Sequence, residues 1–444
     1  MSFNYKNNTL FWDQANLFEL ADKFKTPFFI LNEQSLINSG KEFLQYFNDQ
    51  SLPVSCYYSL KTNPVPYMLK LLKNQGVGIE IISEYEMWLA KKLNFNGDEI
   101  IVNGPAKSDK LIADSISYNV KMLSIESISE LDRVIKISKK SDGQLNCGIR
   151  ISPQLRTNPF NLTLGSSKSG SPYGLICDSD EIKFALEKIS SCESLNFMGF
   201  NFHLGSGIKS SRPYKKSYSV LERAVLLAKN YGLESRILNI GGGFGSSSAP
   251  ILSFYQLAKS FASHPKLKSI DTNENNTLRE VSKGAVRLLK KLKSCGIQIE
   301  EVITEPGRKI SGNSQILILK VLDIIKRKNN KYNVICDGGA MSISPMLLTE
   351  HHKIFPLLMR DNKRNSYSIY GNLPSTMDKV TSSIYLPKLE IGDYLGVLDA
   401  GAYFIPFNNN FNGPRPSIIS INKNKYEIIR KEETLEDIVR NDLF

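Results

Sequence analysis

A regular alternation of short apolar runs and amphipathic segments, from about residue 26 to residue 310, constrains the fold of this chain most. SCYYSLKTN is typical of a strand, and the following PVPYMLKLLKNQG is typical of a helix that opens with proline and closes with glycine. The eight predicted strands are SCYYSLKTN, GIEIIS, EIIVNGP, KMLSIES, LNCGIRISP, LNFMGFNFHLG, RILNIGGGFG and IEEVITEPGR. Because a helix follows most of them, the pattern predicts parallel strands in an α/β fold, arranged as a (β/α)8 barrel.

The pattern changes near residue 313, where β segments joined by turns replace the alternation. Little helix is expected there before TLEDIVRNDLF, and TPFFILN predicts one further strand ahead of the barrel. We therefore expect an N-terminal segment, 1–35, that packs with a mostly β domain, 312–444, and a (β/α)8 barrel over 36–311. The polar segment 264–277 is expected to be an excursion of the barrel loops, with a helix from about Leu278.

Composition narrows the classes of protein that fit this pattern. The formal charge is +12, but the lysines are scattered, so a solvated surface that attracts anionic metabolites is favoured over nucleic-acid binding. No apolar run approaches the roughly 20 residues of a membrane span, and MSFNYKNNTLFWDQ lacks a signal-peptide pattern, so we expect a cytoplasmic protein with no membrane partner. The six cysteines form no CxxC pair and no metal-ligand spacing, which predicts reduced thiols and no metal site.

Four predicted strands end in residues that can carry out chemistry, and the C-terminal strand ends are where a barrel of this kind builds its active site. They are Lys61 in SLKTNP, His203, Gly205 and Ser206 in NFHLGSG, Gly241, Gly242 and Gly243 in NIGGGFG, and Glu305, Gly307 and Arg308 in TEPGR. Each also has a structural explanation: a lysine that extends its charge into water, a core histidine, a tight turn, or a local ion pair. Taken singly, the structural explanation is favoured each time.

Together these residues suit a phosphorylated pyridine aldehyde. Glycines let backbone N–H groups approach a phosphate, and Ser206 adds a hydroxyl donor. Lys61 can form an imine, His203 can stack on the ring, and Glu305 can keep the ring nitrogen protonated. Glycine triplets also occur in dinucleotide-binding loops, but GGGFG lacks the GxGxxG spacing that such a loop needs.

Over nearly its whole length the sequence resembles the pyridoxal-phosphate-dependent decarboxylases of the alanine-racemase-like fold, specifically the diaminopimelate and ornithine decarboxylase group. YYSLKTNP is similar to the Schiff-base lysine strand of that group, NFHLGSG to its ring-stacking histidine and phosphate serine, and LNIGGGFG to its phosphate glycines. TEPGR is similar to its pyridinium carboxylate and its arginine for the substrate carboxylate. DAGAYFIPFNNNFNGPRP is similar to its C-terminal signature.

The resemblance implies a pyridoxal 5'-phosphate cofactor, an amino-acid substrate and catalytic roles for Lys61, His203 and Glu305. The implied cofactor-binding residues are Lys61, His203, Ser206, Gly242, Gly243, Glu305, Gly307, Arg308 and Tyr403. Arg308, Ser375 and Asp378 are the implied substrate positions. The resemblance also implies a head-to-tail homodimer with shared active sites, in which Tyr403 reaches the cofactor phosphate.

The sequence departs from this group around the substrate. In YGNLPSTMD the position of the group's proton-donating cysteine is Pro374, and the glutamate that follows it in diaminopimelate enzymes is Ser375. Allowing a one-residue gap, the arginine and tyrosine that hold the distal end of diaminopimelate fall at Ser344 and Leu348. Glu80 stands where an aspartate is common. Carbon dioxide loss should survive these changes, whereas reprotonation needs another acid and distal recognition is lost.

The leading hypothesis is therefore a pyridoxal-phosphate-dependent decarboxylase, diaminopimelate-decarboxylase-like, that acts on an amino acid or amino-acid conjugate other than standard diaminopimelate. One alternative is a racemase or epimerase that uses the same carbanion. Another is a non-catalytic homologue that binds a partner, although such a protein has no need of the electron-sink residues Lys61, His203 and Glu305.

Overall fold

The computed structural model describes residues 3–50, 52–156, 165–246, 249–262, 274–328, 331–361, 363–411 and 413–444. The chain forms two compact units. The first, called the barrel unit, comprises Ser39–Gly245 and Thr272–Ile310. The second, called the sheet unit, comprises Met1–Asn38, Ser246–Asp271 and Ser311–Phe444.

The elements are numbered in chain order. The strands are β1 (Phe3–Lys6), β2 (Thr9–Trp12), β3 (Ala15–Asn16), β4 (Phe28–Asn32), β5 (Val54–Ser59), β6 (Gly78–Ile81), β7 (Ile100–Val102), β8 (Met122–Ile125), β9 (Leu145–Ser152), β10 (Leu175–Ile176), β11 (Leu195–Asn201), β12 (Ile237–Asn239), β13 (Glu301–Thr304), β14 (Gln315–Lys326), β15 (Lys331–Cys336), β16 (Ile354–Pro356), β17 (Arg364–Tyr370), β18 (Lys379–Pro387), β19 (Tyr394–Val397), β20 (Ser417–Asn422) and β21 (Lys425–Arg430). The helices are α1 (Leu17–Lys23), α2 (Glu33–Asn48), α3 (Pro66–Lys73), α4 (Glu84–Lys92), α5 (Asp109–Ser117), α6 (Ile128–Ser138), α7 (Asp180–Ser190), α8 (Arg212–Asn230), α9 (Phe254–Ala262), α10 (Glu274–Ser294), α11 (Arg308–Ser311), α12 (Met346–Thr349), α13 (Phe404–Phe407) and α14 (Leu435–Ile438).

The barrel unit contains a closed parallel barrel. Its strands follow the order β9-β11-β12-β13-β5-β6-β7-β8, and β8 pairs with β9 to close the ring, while β10 adds to β9 outside it. The eight strands are the eight predicted from the alternating pattern. The predicted α/β fold, a (β/α)8 barrel with a mostly β domain, is confirmed.

The barrel interior changes from apolar to polar along five of the eight strands. A cluster of Tyr57, Ile101, Met122, Met198, Ile237 and Ile303 fills one layer. Since side chains two residues apart share a face of a strand, the next interior residue lies closer to the C-terminal end. For five strands these successive interior pairs are Tyr57 and Ser59, Ile101 and Asn103, Met122 and Ser124, Ile237 and Asn239, and Ile303 and Glu305. The C-terminal end of the barrel is therefore lined by polar groups above an apolar floor.

The sheet unit is built mainly of β structure. Its large sheet has the order β18-β17-β15-β14-β4-β20-β21, and β16 and β19 join it through β14. The N-terminal strand β4 lies between β14, to which it is antiparallel, and β20, to which it is parallel. The strands β1, β2 and β3 form a small antiparallel sheet. A core that includes Trp12, Phe28 and Ile419 joins residues of both sheets.

Several elements of the sheet unit were missing from the sequence prediction. The strands β1, β2, β3, β16 and β18 were not predicted, because they are short or mix polar residues at both faces, as in KVTSSIYLP of β18. The helix predicted in TLEDIVRNDLF is only α14, which has no buried residue and so lacks tertiary support. The helix expected from about Leu278 begins earlier, at Glu274, and residues 264–273 of the predicted excursion lie outside the described residues. In the part of the chain that the structure describes, no helix combines the length and apolarity needed to cross a membrane.

Candidate active site

Lys61 lies at the C-terminal end of the barrel and is held by a buried carboxylate. Strand β5 ends at Ser59, and a 3-10 turn over Leu60–Thr62 carries the lysine just beyond it. Its Nζ donates to both carboxylate oxygens of Glu80, at 2.9 Å to Oε1 and 2.6 Å to Oε2. The Lys61 side chain is 31% exposed and that of Glu80 only 1%. The amine therefore faces an opening while its counterion is buried below it.

The neighbours of Glu80 keep its carboxyl group ionised. Burial alone would raise the pKa of this carboxyl, but the Lys61 ammonium and hydrogen bonds from Lys61 and Ser59 outweigh burial and lower the pKa below its ordinary value. The Ser59 hydroxyl donates to Oε2 at 2.6 Å, and the Asn103 amide approaches Oε1 at 3.3 Å. Glu80 is thus a buried carboxylate with several donors, which is the arrangement that a buried charge requires.

Glu305 follows strand β13 and has one oxygen fixed by two amides. Asn103 Nδ2 donates to its Oε1 at 2.7 Å, and Asn239 Nδ2 donates to the same oxygen at 2.5 Å. The only recorded neighbour of Oε2 among the described residues is His203 Nδ1, at 4.0 Å. Burial, reinforced by the negative charge of Glu80, raises the pKa of Glu305 to about 7. Because both amides use Oε1, Oε2 is the oxygen available to pair with a protonated ring nitrogen, whose positive charge would favour the carboxylate form.

His203 lies two residues beyond strand β11, on the same side of the barrel end as Glu305. Its side chain is 23% exposed, so part of the imidazole faces the opening. Desolvation, with the nearby charges of Lys61 and Arg150, lowers the pKa of His203 well below its ordinary value. The ring is therefore neutral near pH 7, which suits stacking on an aromatic ring better than donating a proton.

The glycine triplet after strand β12 lies where no side chain fits. A Cβ at Gly241 would lie 2.2 Å from the Phe202 carbonyl oxygen, and one at Gly242 would lie 2.0 Å from the Glu305 carbonyl oxygen. Gly241 and Gly243 also have φ of 65° and 86°, in the region that favours glycine. Packed this closely, the triplet admits no side chain, and Gly241 N donates to Asn239 Oδ1 at 2.8 Å.

Ser206 is carried to the same place by the loop after β11. This loop is joined to the glycine segment by a hydrogen bond from Ile208 N to the Gly243 carbonyl oxygen, at 2.9 Å. Among the described residues, the Ser206 hydroxyl has no hydrogen-bond partner. Tyr214 donates to the Gly242 carbonyl oxygen at 2.8 Å and supports the triplet from beneath. The loop that contains Ser206 and the segment Gly242–Gly243 are thus joined, and a phosphate site is predicted at this loop pair.

Gly307 and Arg308 form the turn from strand β13 into helix α11. A Cβ at Gly307 would lie 2.1 Å from Thr62 Oγ1, next to Lys61, so only glycine allows this turn to approach the lysine turn. Arg308 is buried, with 5% of its surface exposed. The predicted residues Lys61, His203, Ser206, Gly242, Gly243, Glu305, Gly307 and Arg308 all belong to the barrel unit.

Asp378 and Ser375 belong to the sheet unit, where the aspartate is wholly buried. Asp378 Oδ1 accepts from Met341 N at 2.9 Å, and its Oδ2 accepts from Leu373 N at 3.1 Å. A Cβ on Gly371 would lie 2.1 Å from this carboxylate. The carboxylate is therefore used to join two loops. The Ser375 hydroxyl accepts from Met377 N at 3.2 Å and caps a turn of the loop.

Tyr403 also belongs to the sheet unit and adopts a rare backbone conformation. Its φ is 66°, left-handed, which is uncommon for a bulky residue and marks a position held by its surroundings. Its carbonyl oxygen accepts from the Ser344 hydroxyl at 3.3 Å, and its ring lies 6.5 Å from that of Phe407.

The sequence prediction missed the amides that organise the barrel site. Asn103 and Asn239 fix Glu305, and Ser59 supports Glu80. Their signal was available: each follows an apolar interior residue of its strand by two positions, at the end where the chemistry lies.

Two buried ion pairs beside the site were also missed. Arg150 Nη1 donates to Glu126 Oε1 at 2.8 Å, and Lys107 Nζ donates to Glu130 Oε2 at 3.0 Å. Lys107 also donates to two carbonyl oxygens, so its charge is fully hydrogen-bonded. Only the packing of several strand ends creates these pairs, and the residues concerned are far apart in the sequence.

The barrel end fits pyridoxal phosphate. Lys61 presents an amine at the opening, and Glu305 has one fixed oxygen and one that can meet a ring nitrogen. Ser206 offers a hydroxyl, and Gly242 and Gly243 add backbone without side chains, whereas Gly241 N already donates to Asn239 Oδ1. These are the groups that a Schiff-base cofactor with a phosphate requires.

Comparison with known proteins agrees with this fit. Residues 35–312 match the family described as "Pyridoxal-dependent decarboxylase, pyridoxal binding domain". The chain belongs to this family and is a pyridoxal-phosphate-dependent carboxy-lyase.

Individual relatives extend over the whole chain. A diaminopimelate decarboxylase of Aquifex aeolicus is 28% identical over 99% of this chain and 97% of its own length. One of Methanocaldococcus jannaschii is 26% identical, over 99% and 96%. The crystal structure of diaminopimelate decarboxylase from M. jannaschii superposes with a TM-score of 0.88 at 25% identity, covering 100% of this chain and 98% of that one. A Chlorella virus arginine decarboxylase, 19% identical, covers 91% of this chain and 98% of its own with a TM-score of 0.71, and shares the fold.

Proposed function

We propose that this enzyme decarboxylates an amino acid or amino-acid conjugate other than standard diaminopimelate. The observation that carries the proposal is a contrast within one chain. The barrel end keeps Lys61, His203, Glu305 and Arg308, whereas Pro374, Ser375, Ser344 and Leu348 stand where the diaminopimelate enzymes have their acid and distal substrate contacts. Neither proline nor leucine offers a side-chain donor for a distal amino-carboxylate.

The roles follow from the geometry of the barrel end. When bound, pyridoxal phosphate supplies an electron sink for the bond that loses carbon dioxide. Lys61 would hold the cofactor through its amine, and Glu305 Oε2 would lie against the ring nitrogen and keep it protonated. Arg308 binds the substrate carboxylate as a bidentate cation. Ser206, Gly242, Gly243 and Gly307 surround the phosphate with short side chains and N–H donors.

We assign the replacement acid to Lys61. Its Nζ lies within hydrogen-bond distance of both oxygens of Glu80, at 2.9 and 2.6 Å, so the amine is held at the barrel end where the substrate would bind. The alternative, His203, has a lowered pKa and carries no proton to spare near pH 7. Lys61 Nζ can therefore return a proton to the carbon that loses its carboxylate.

The assembly is proposed from the family resemblance and from one surface feature. The loop that contains Pro374 is exposed at Asn372, Pro374 and Thr376, and Met377 keeps 43% of its surface exposed. In a head-to-tail homodimer of cytoplasmic subunits this loop and Tyr403 would complete the site of the partner, with Tyr403 at the cofactor phosphate. Equilibrium sedimentation together with complementation between Lys61→Ala and Tyr403→Phe subunits tests this arrangement.

The substrate proposal is tested by a panel of carboxyl-labelled amino acids. Purified protein with pyridoxal phosphate is incubated with L-, D- and meso-amino acids, and carbon dioxide release and change of configuration are both recorded. We expect release from a substrate other than meso-diaminopimelate, with at least about tenfold higher kcat/KM. A clear preference for meso-diaminopimelate would refute the substrate proposal, and configuration change without carbon dioxide would favour a racemase.

A further inference from the structure

The sheet unit contains a cavity of about 570 Å³ that has no place in the chemistry of the barrel unit. It is lined by residues of the β1 strand, the segment 351–359 and strand β18, all within the sheet unit. Its apolar wall includes Ile354, Phe355, Pro356, Ile384, Leu386 and Pro387. The volume lies in the range of pockets that bind small organic molecules, roughly 300–1,000 Å³. We call it the β16–β18 cavity.

The charges around this cavity have one sign. Lys353 and Arg364 line it, and none of the described lining residues is acidic. In the described part of the chain, neither cation has an ion-pair or hydrogen-bond partner on its side chain. A cation without a counterion at the edge of an apolar wall is placed to meet an anion of a ligand.

The remaining polar groups either are already used or can only add a hydrogen bond. The Tyr5 hydroxyl donates to the Pro356 carbonyl oxygen at 2.7 Å, so it closes the wall instead of competing for a ligand. Burial, with the neighbouring His352 and Lys353, lowers the pKa of His351, so its imidazole is neutral and can offer a single donor. The positive charge at the cavity therefore comes from two side chains.

The walls of the β16–β18 cavity are tied together by backbone bonds. Leu10 N donates to the Leu357 carbonyl oxygen at 2.9 Å, and Met359 N donates to the Asn8 carbonyl oxygen at 2.8 Å. On the other side, Arg364 pairs in register with Pro387 across strands β17 and β18. The cavity is thus held open by the sheet itself, and a ligand would not have to order it.

We propose that the β16–β18 cavity binds an amphipathic organic anion, with an aromatic or branched apolar body and one carboxylate. The apolar body would lie on the residues of β16 and β18, and the carboxylate would meet Arg364 and Lys353 at the edge. Arginine suits this role because its planar guanidinium pairs with a carboxylate through two hydrogen bonds. The site is separate in composition from the cofactor site, since it contains no residue of the barrel unit.

The test uses 2-naphthoate and its neutral analogue 2-naphthalenemethanol, titrated calorimetrically into the cofactor-loaded full-length enzyme. We expect naphthoate to bind and the alcohol to bind about tenfold or more weakly. The double variant Lys353→Gln with Arg364→Gln should weaken naphthoate by about tenfold or more and leave the alcohol unchanged. Ile384→Trp should fill the cavity and remove the binding of both molecules.

Two controls separate this cavity from other sites. Lys363→Gln removes an exposed neighbouring cation that does not line the cavity, and should leave naphthoate affinity unchanged. Arg308→Gln removes the carboxylate-binding arginine of the barrel and should also leave it unchanged. The proposal would be overturned by equal affinity for naphthoate and the alcohol, or by wild-type affinity in the double variant. It would also be overturned by loss of binding in Arg308→Gln, or by the absence of any binding heat because a second copy of the chain covers the cavity.

Discussion

The barrel end and the loop 371–378 both contain a buried carboxylate, and the two regions use it differently. At the barrel end, Glu305 has one oxygen fixed by the amides of Asn103 and Asn239, while its other oxygen lies buried, 4.0 Å from His203 Nδ1. In the loop, both oxygens of Asp378 accept backbone N–H groups. Glu305 thus keeps one oxygen without a hydrogen-bond donor, whereas both oxygens of Asp378 hold two backbone segments together.

This contrast shows that a buried carboxylate can either be positioned for a ligand or hold the backbone of a loop in place. The side-chain donors at Glu305 fix one oxygen and leave the other without a donor, whereas each oxygen of the wholly buried Asp378 already accepts a backbone N–H group. The proposed function assigns carbon dioxide loss to the residues of the barrel end. The loop keeps its shape through Asp378 but, with Pro374 and Ser375, supplies no acid for the returning proton.

The largest effect is expected from Lys61→Ala. Loss of the imine-forming amine should lower decarboxylation by about 10⁴-fold or more and remove the visible absorption band of the cofactor imine. The matched control is Lys91→Ala, because Lys91 is 34% exposed and pairs with Asp114 at 2.9 Å, much as Lys61 pairs with Glu80. Borohydride should label a wild-type peptide that contains Lys61. A labelled peptide from elsewhere would place the chemistry at another lysine.

A smaller but still large effect is expected from Glu305→Gln. A neutral amide cannot keep the ring nitrogen protonated, so turnover should fall by about 10²–10⁴-fold while the cofactor stays bound. Glu301→Gln, at the other end of strand β13, is the control and should retain activity. Unchanged turnover in Glu305→Gln would mean that this carboxyl is only structural.

The raised pKa of Glu305 predicts how the cofactor-free protein responds to pH. Its pKa in the folded protein is about 7, against an ordinary value of 4.5, so the folded state holds the proton to higher pH than the unfolded chain. The free energy of unfolding should therefore fall as pH rises through this interval, by at most about 3 kcal/mol. Glu305→Gln should lack this fall. Denaturant unfolding of both proteins across the interval measures the difference, and parallel profiles would contradict the raised pKa.

The smallest effect concerns the loop. Asp378→Asn should lower the free energy of unfolding by about 1–3 kcal/mol, because an amide can accept only one of the two backbone N–H groups and leaves the other buried without a partner. Ser375→Ala removes a hydroxyl that caps an exposed turn and should change it by less than about 0.5 kcal/mol. If Asp378→Asn is as stable as wild type but raises KM, then this carboxylate binds substrate, as the sequence resemblance implies.

Much of the barrel could be predicted from the sequence because its information is local. Each strand is an apolar run that ends in a distinctive residue, and Lys61, His203, the glycine triplet and Glu305 could be read from such ends. Because these strands are buried on both faces, most of their residues are apolar, and each strand can be recognised in the sequence without knowledge of tertiary contacts.

The rest could not be predicted because it depends on partners that are distant in the sequence. Asn103 and Glu305 are 202 residues apart, yet their side chains share a hydrogen bond across the barrel. In the sheet unit, β18 mixes polar and apolar residues and is fixed mainly by its pairing with β17. The substrate role of Asp378 stays a prediction from the resemblance, and only the folded loop shows that both of its oxygens also accept backbone N–H groups.

The most direct test of this account measures the fate of the proton. With a true substrate in deuterated water, an enzyme with an intact barrel end but no acid at Pro374 should lose carbon dioxide readily and return the proton slowly. We predict a larger solvent isotope effect on turnover than in a cysteine-containing relative, or deuterium delivered to both faces of the labelled carbon. Fast, fully stereospecific protonation with no isotope effect would contradict the account, because it would show that losing the cysteine at Pro374 does not impair delivery of the proton, even with Lys61 as the acid.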